Sequence, residues 1–168
     1  MAKQPLGFSK GKKTVVKLTG CEVTIQERGT QEAITYLNTL QLRAKDMRVP
    51  LSRFGAYMVD EAIPAQFKAQ GTPERWAPLS KKYAAWKRAH YGNLPKLVIT
   101  GAMRDAFTWE VTPRTLRIEN SVKYWTYHQT GTRKMPARPP LNVRKIDRAK
   151  LNELAALWML QETGGGVL

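Results

Sequence analysis

One cysteine, two histidines and thirteen acidic residues are all that this 168-residue chain offers of the side chains most used in catalysis and metal binding. The lone cysteine, Cys21, excludes an internal disulfide framework and a cysteine-built zinc site, and it points to a reducing compartment. Nothing in "MAKQPLGFSKGKK" has the apolar stretch of a signal peptide, and the longest apolar run, Leu154 to Leu160, is far short of the ~20 residues that span a membrane. The expectation is a soluble protein made in a cytoplasm. Also missing are a phosphate-binding glycine loop, a dinucleotide fingerprint, a nucleophile elbow, and the spacings HxE, HExxH or paired cysteines. His90 and His128 end unrelated segments. Pairing either with Ser80 or Cys21 as a nucleophile stays open, but no spacing supports it, so neither an enzyme nor a metal or other cofactor is expected. No base-reading module is recognisable either.

What is abundant is positive charge. Twenty-eight Lys and Arg face thirteen acids, giving a net charge of +15 and a sequence pI near 10.2. Such a surface suits nucleic acid or an acidic protein, although basic faces also keep proteins soluble. Hydrophobic residues make up 42% of the chain and five are Trp, enough for a core. The length suits one domain, expected over 13–162, behind a flexible basic arm at 1–12 and ahead of a loose tail at 163–168.

The periodicity sketches an α+β fold: N-terminal amphipathic helices packed on a small antiparallel sheet, with a C-terminal helix. Short β-rich runs at 14–18 and 22–26 flank Gly20 as a hairpin or one bent strand. Ala33, Leu37, Leu40 and Ala44 mark one face of a helix over 30–46. A second helix takes Pro50 into its first turn and lines up Leu51, Phe54, Met58, Ala62 and Ala65; together the two helices read as an αα pair. Pro64 should kink or split this second helix, because its ring clashes with the carbonyl of Asp60. Ser80 caps a short basic helix over 80–90, on which Tyr83 and Trp86 share a face; that face reads as core-directed, with base stacking as its rival. Thr100 caps another brief helix. Alternation in "FTWEV" and "TLRIE" around Pro113-Arg114 predicts a hairpin. A helix over 147–161 closes the domain, with Leu151, Leu154 and Trp158 inward.

The stretch from Tyr127 to Leu141, "YHQTGTRKMPARPPL", fits no regular element. Pro136, Pro139 and Pro140 each remove a donor, so 132–142 is an extended segment. Either it reaches a neighbouring subunit through its pre-set backbone, or it wraps its own domain. The basic residues that follow, Arg144 and Lys145 among them, together with Lys10, Lys12 and Lys13 of the N-terminal arm, are candidate anion contacts.

Four pieces carry a resemblance: "WAPLSKKY" from Trp76 through Pro78, Leu79 and Ser80 to Tyr83; "LVITGAM" with Thr100 and Gly101; "YWTYHQTG" with Tyr124, His128, Gln129 and Gly131; and "MPARPPL" with Pro136, Ala137, Arg138 and Pro139. In this order and spacing, over roughly 30–142, the chain resembles the phage virion morphogenesis family, the tail-completion proteins of tailed phages. Pro140 departs from the pattern, standing where the family usually sets a Phe-like anchor. The resemblance implies a non-enzymatic virion protein of the phage neck. It would complete the tail and join it to the head connector as part of a ring of its own copies, six by the symmetry of tails. Its partners would be tail-terminator, tail-tube or head-connector proteins, with DNA in the passage; it would be assembled in the host cytoplasm. The resemblance favours the intersubunit arm, with Arg133, Lys134, Met135, Pro136, Arg138, Pro139 and Leu141 as partner-binding residues. His128 and Gln129 would then bond nearby backbone and fix the turn at Gly131. The alternative is a non-enzymatic nucleic-acid-binding protein using basic patches.

Overall fold

The structure is a computed structural model and describes residues 13–18, 21–26 and 29–161. These fall into two compact units, divided between Lys45 and Asp46.

In the first unit, strands β1 (Lys13–Leu18) and β2 (Cys21–Gln26) pair antiparallel, so the hairpin is the outcome of the two readings. Helix α1 (Thr30–Lys45) follows, with Glu32 in its first turn and Arg43 and Lys45 in its last, both matched to the helix dipole. None of its residues is buried. Of the stripe expected to face a core, Ala33, Leu37 and Ala44 are exposed and only Leu40 is half-buried; Ile34 and Leu42 are exposed beside it.

The second unit is α+β. Its frame is a helix broken in register: α2 (Arg48–Tyr57), a π-helical turn (Met58–Ala62) and α3 (Ile63–Ala69). Pro64 has no N–H for the carbonyl of Asp60. The ladder slips to a five-residue spacing, with the Ile63 N–H donating to the Met58 carbonyl. The expected disruption at Pro64 is therefore taken up by one wide turn ahead of it.

Short helices α4 (Lys81–Tyr91) and α5 (Ala102–Asp105) lead to strands β3 (Phe107–Val111) and β4 (Leu116–Asn120), an antiparallel hairpin with Trp109 opposite Ile118. A one-turn helix that the sequence reading missed, α6 (Trp125–Thr130), and the long α7 (Lys145–Leu160) complete the unit. Helix α2 packs on both strands of the hairpin and on α7. At the hairpin the approach is close: a Cβ at Gly55 would lie 2.7 Å from the Trp109 ring, so only glycine fits.

Two buried clusters make the core. Phe54, Met58 and Ala62 form one, against Leu151 and Leu154 of α7. Ile63, Phe67, Trp76, Met103 and Phe107 form the other. Ile118 and Leu141 touch both, so Leu141 joins the two halves of the core.

Candidate functional site: a buried strap and the groove beside it

Three of the four motif pieces converge on residues 136–141. Arg138 is only 4% exposed. Its Nε donates to the Ala77 carbonyl at 2.8 Å and its Nη2 to the Pro78 carbonyl at 2.7 Å. The planar guanidinium thus grips two successive carbonyls of the Trp-Ala-Pro-Leu turn, a fork that lysine cannot copy. In return, Trp76 Nε1 donates to the Pro139 carbonyl at 3.1 Å, and the buried Gln66 amide reaches the same oxygen at 3.4 Å. Gln129 closes the loop. Its Nε2 donates to the Leu141 carbonyl at 2.8 Å, and its Oε1 accepts from the Leu141 N–H at 3.1 Å. One side-chain amide imitates a strand partner for a backbone that its prolines have stripped of donors.

These contacts correct the expectation of a projecting arm. Arg138, Pro139 and Leu141 are held by their own chain, and Pro140 is among the most completely buried residues. Polar satisfaction explains this: the Pro139 carbonyl meets Trp76 and Gln66 on the same domain. The segment is a strap, and only its near end, with Arg133, Lys134 and Pro136, is exposed. A tight turn precedes it, where Thr132 and Met135 pair backbone to backbone. Gly131 sits at φ 77°, and a Cβ there would meet the Ala137 nitrogen at 2.8 Å.

His128 departs from its expected role. Its backbone carbonyl accepts from the Arg138 N–H at 2.7 Å, but its buried Nδ1 has no hydrogen-bond partner among the described residues. The ring stands edge-on to Tyr124. Burial, then the charge of Arg138, holds its pKa below the usual histidine range, so the ring is neutral at pH 7.

Beside the strap lies a groove of about 860 Å³. Leu97, Val98, Ile99 and Met103 supply aliphatic surface, and the motif residues Pro78, Leu79, Thr100, Gly101, Tyr124 and His128 also line it. Lys81, Lys87, Lys134 and Arg138 are its charged residues; no Asp or Glu lines it. Lys87 is 4% exposed and donates to the Pro95 carbonyl. Burial lowers the pKa of both Lys87 and Arg138, and among the described residues neither forms an ion pair with a carboxylate.

Helix α4 forms one side and corrects a second expectation. Tyr83 and Trp86 do share a face, stacked at 5.5 Å, but both are more than 40% exposed and His90 and Tyr91 extend the ladder outward. Ser80 caps the helix, its Oγ accepting from the Tyr83 N–H at 3.3 Å.

The candidate anion contacts separate. Lys145 is exposed. Arg144 is engaged: with Asp147, which is fully buried, it forms a capping pair through Nε and Nη2, each at 2.8 Å. Of Lys13 only the backbone is described, and Lys10 and Lys12 lie outside the described residues. Among the described residues no group of three or more His, Cys, Asp or Glu is placed to hold a metal ion, and no helix is long and apolar enough to cross a membrane.

No curated protein and no solved structure matches the chain. A family model does, over residues 29–159, which takes in all four motif pieces and both halves of the core. The chain belongs to the phage virion morphogenesis family.

Proposed function

We propose that this protein is a structural component of the phage neck, completing the tail and joining it to the head connector as one subunit of a ring. The family match across 29–159 carries the reading, because membership in a virion morphogenesis family points to a structural part in the particle. The surface agrees with a role in assembly. Helix α1 leaves Ile34, Leu37 and Leu42 exposed, apolar surface of the kind that interfaces cover. The exposed turn with Arg133, Lys134 and Pro136 stands ready for a neighbour, braced from behind by Arg138, Pro139 and Leu141. Head-to-tail contacts between copies close into a ring, and the sixfold build of tails sets the expected number at six. Tail-terminator, tail-tube or head-connector proteins are the proposed partners, in the virion neck after assembly in the host cytoplasm. Particles from a phage lacking this gene, complemented by the intact gene or by Arg133→Glu/Lys134→Glu, test this. Joined particles should be restored by the first and not by the second. A reconstruction showing a single copy at the neck would refute the ring.

One observation favours a second reading. The exposed ladder of Tyr83, Trp86 and Tyr91 sits on a helix carrying Lys81, Lys82 and Arg88 and no acid, the pairing of ring faces and cations that single-stranded nucleic acid uses. Binding of oligodeoxythymidine with a steep salt slope, lost in Trp86→Ala, would support it.

A further inference from the structure

We propose that the groove between α4, α5, α6 and the strap docks a short acidic-apolar segment of a partner protein, which seats an apolar side chain on the Val98–Met103 surface and a carboxylate against the cationic wall. This rests on the assembly role proposed above and names the chemistry of one partner contact.

Charge is the first argument. Lys87 and Arg138 are almost wholly buried, and each is satisfied by backbone carbonyls alone. A desolvated cation without a counter-charge is costly, and carbonyl dipoles offset only part of that cost. Lys81 and Lys134 add exposed positive charge to the same groove, and no acidic residue lines it. A carboxylate entering here meets a preformed positive field in a partly dehydrated place, where attraction is strongest.

The second argument is the unspent hydrogen-bonding capacity of His128. Its Nδ1 is buried without a partner, and its residue lines the groove. A neutral imidazole can carry its proton on that nitrogen and donate to a carboxylate, or accept from a backbone N–H.

The third concerns shape and separates a protein segment from nucleic acid. Leu97, Val98, Ile99 and Met103 offer aliphatic surface without donors or acceptors on their side chains, suited to a Leu or Phe anchor and not to a base edge. Of the aromatic ladder on α4 only Tyr83 reaches the groove; Trp86, His90 and Tyr91 are not part of its lining.

The test uses the full-length protein and fluorescein-labelled probes in anisotropy titrations at physiological salt. The probes are a twelve-residue peptide alternating Glu with Leu and Phe, its Gln-for-Glu and Ser-for-apolar counterparts, and a twelve-nucleotide oligodeoxythymidine. The acidic-apolar peptide should bind at least about tenfold more tightly than either counterpart, each of which lacks one of the two interactions. Lys81→Glu/Lys134→Glu, at exposed positions, and Ala102→Trp, which fills the groove, should each weaken it by about tenfold or more. Melting curves of both variants should match the parent. Equal binding of the three peptides, tighter binding of the oligonucleotide, or binding unmoved by both variants would overturn the proposal. Joined-particle counts separate the two readings. Peptide binding lost in the variants with normal joining keeps the groove as a binding site and removes its part in the neck role. Failed joining with no peptide binding keeps the neck role and removes the groove.

Discussion

Asp147 shows how much can rest on one carboxylate. It is fully buried, yet it accepts from both the side chain and the backbone of Arg144, and from the Tyr57 hydroxyl at 2.8 Å. Burial alone would raise its pKa; the bonds from Arg144, then that from Tyr57, outweigh burial and hold it below the usual carboxylate range. A folded-state pKa below the unfolded one means stability that is complete above the unfolded value and lost as pH falls through the folded one. Acid melts should therefore lose stability below about pH 4, the ordinary Asp range. Asp147→Asn should cost about 3 kcal/mol at pH 7, because it leaves Arg144 without its counter-charge. The variant should also flatten the acid limb of the profile in urea titrations. Gly55 makes the opposite kind of demand. Alanine is the better helix former by about 1 kcal/mol, but a methyl forced into the Trp109 ring costs about 1–3 kcal/mol. Gly55→Ala should lower the urea midpoint, and pairing it with Trp109→Leu should recover part of the loss; a gain in midpoint would refute the close approach. Neither residue announced its role in the sequence. The partners that matter, Tyr57 for Asp147 and Trp109 for Gly55, are distant in the chain.

The strap is where the element-scale reading from sequence divided. That 132–142 lacks regular structure was plain from its prolines. Which surface it lay against was not, because the acceptors that satisfy it, the Ala77 and Pro78 carbonyls, are backbone atoms common to any sequence. A motif containing Trp76, Gln129 and Arg138 showed which residues matter without showing that they grip one another. The structure now reverses an expectation made for a free arm. Replacing 133–140 with a Gly/Ser linker removes Arg138's two carbonyl bonds and buried Pro140, and it frees the backbone that Trp76 holds. The cooperative thermal transition should fall sharply or vanish, since several buried hydrogen bonds at about 1 kcal/mol each and the packing of Pro140 are lost together. Arg133→Ala/Lys134→Ala, both exposed, should leave it within about 0.5 kcal/mol. A linker variant that melts like the parent would restore the free-arm reading. The hairpin, the long helices and the break near Pro64 were legible because periodicity and proline chemistry act locally. Helix α6 was not, because a single turn rich in Thr, Tyr and His has no helical stripe to read.

At the scale of the whole molecule, every residue of both buried clusters lies after Asp46, as do the residues packed against them. A chain begun at Asp46 should thus keep a single cooperative melt with a midpoint close to that of the full protein. Loss of cooperativity in scanning calorimetry would show that the first unit contributes to the core. Within the second unit, Phe54, Met58 and Ala62 are covered by Leu151 and Leu154, about ninety residues later, and the Tyr57–Asp147 bond crosses the same span. On the ribosome, α2 emerges long before the helix that seals it. Until Lys145–Leu160 is free to fold back, the nascent chain carries an open apolar seam. A copy interrupted ahead of Lys145 never closes that seam, and it remains the kind of client that chaperones and proteases recognise. Only a chain translated through the closing helix can bury that seam.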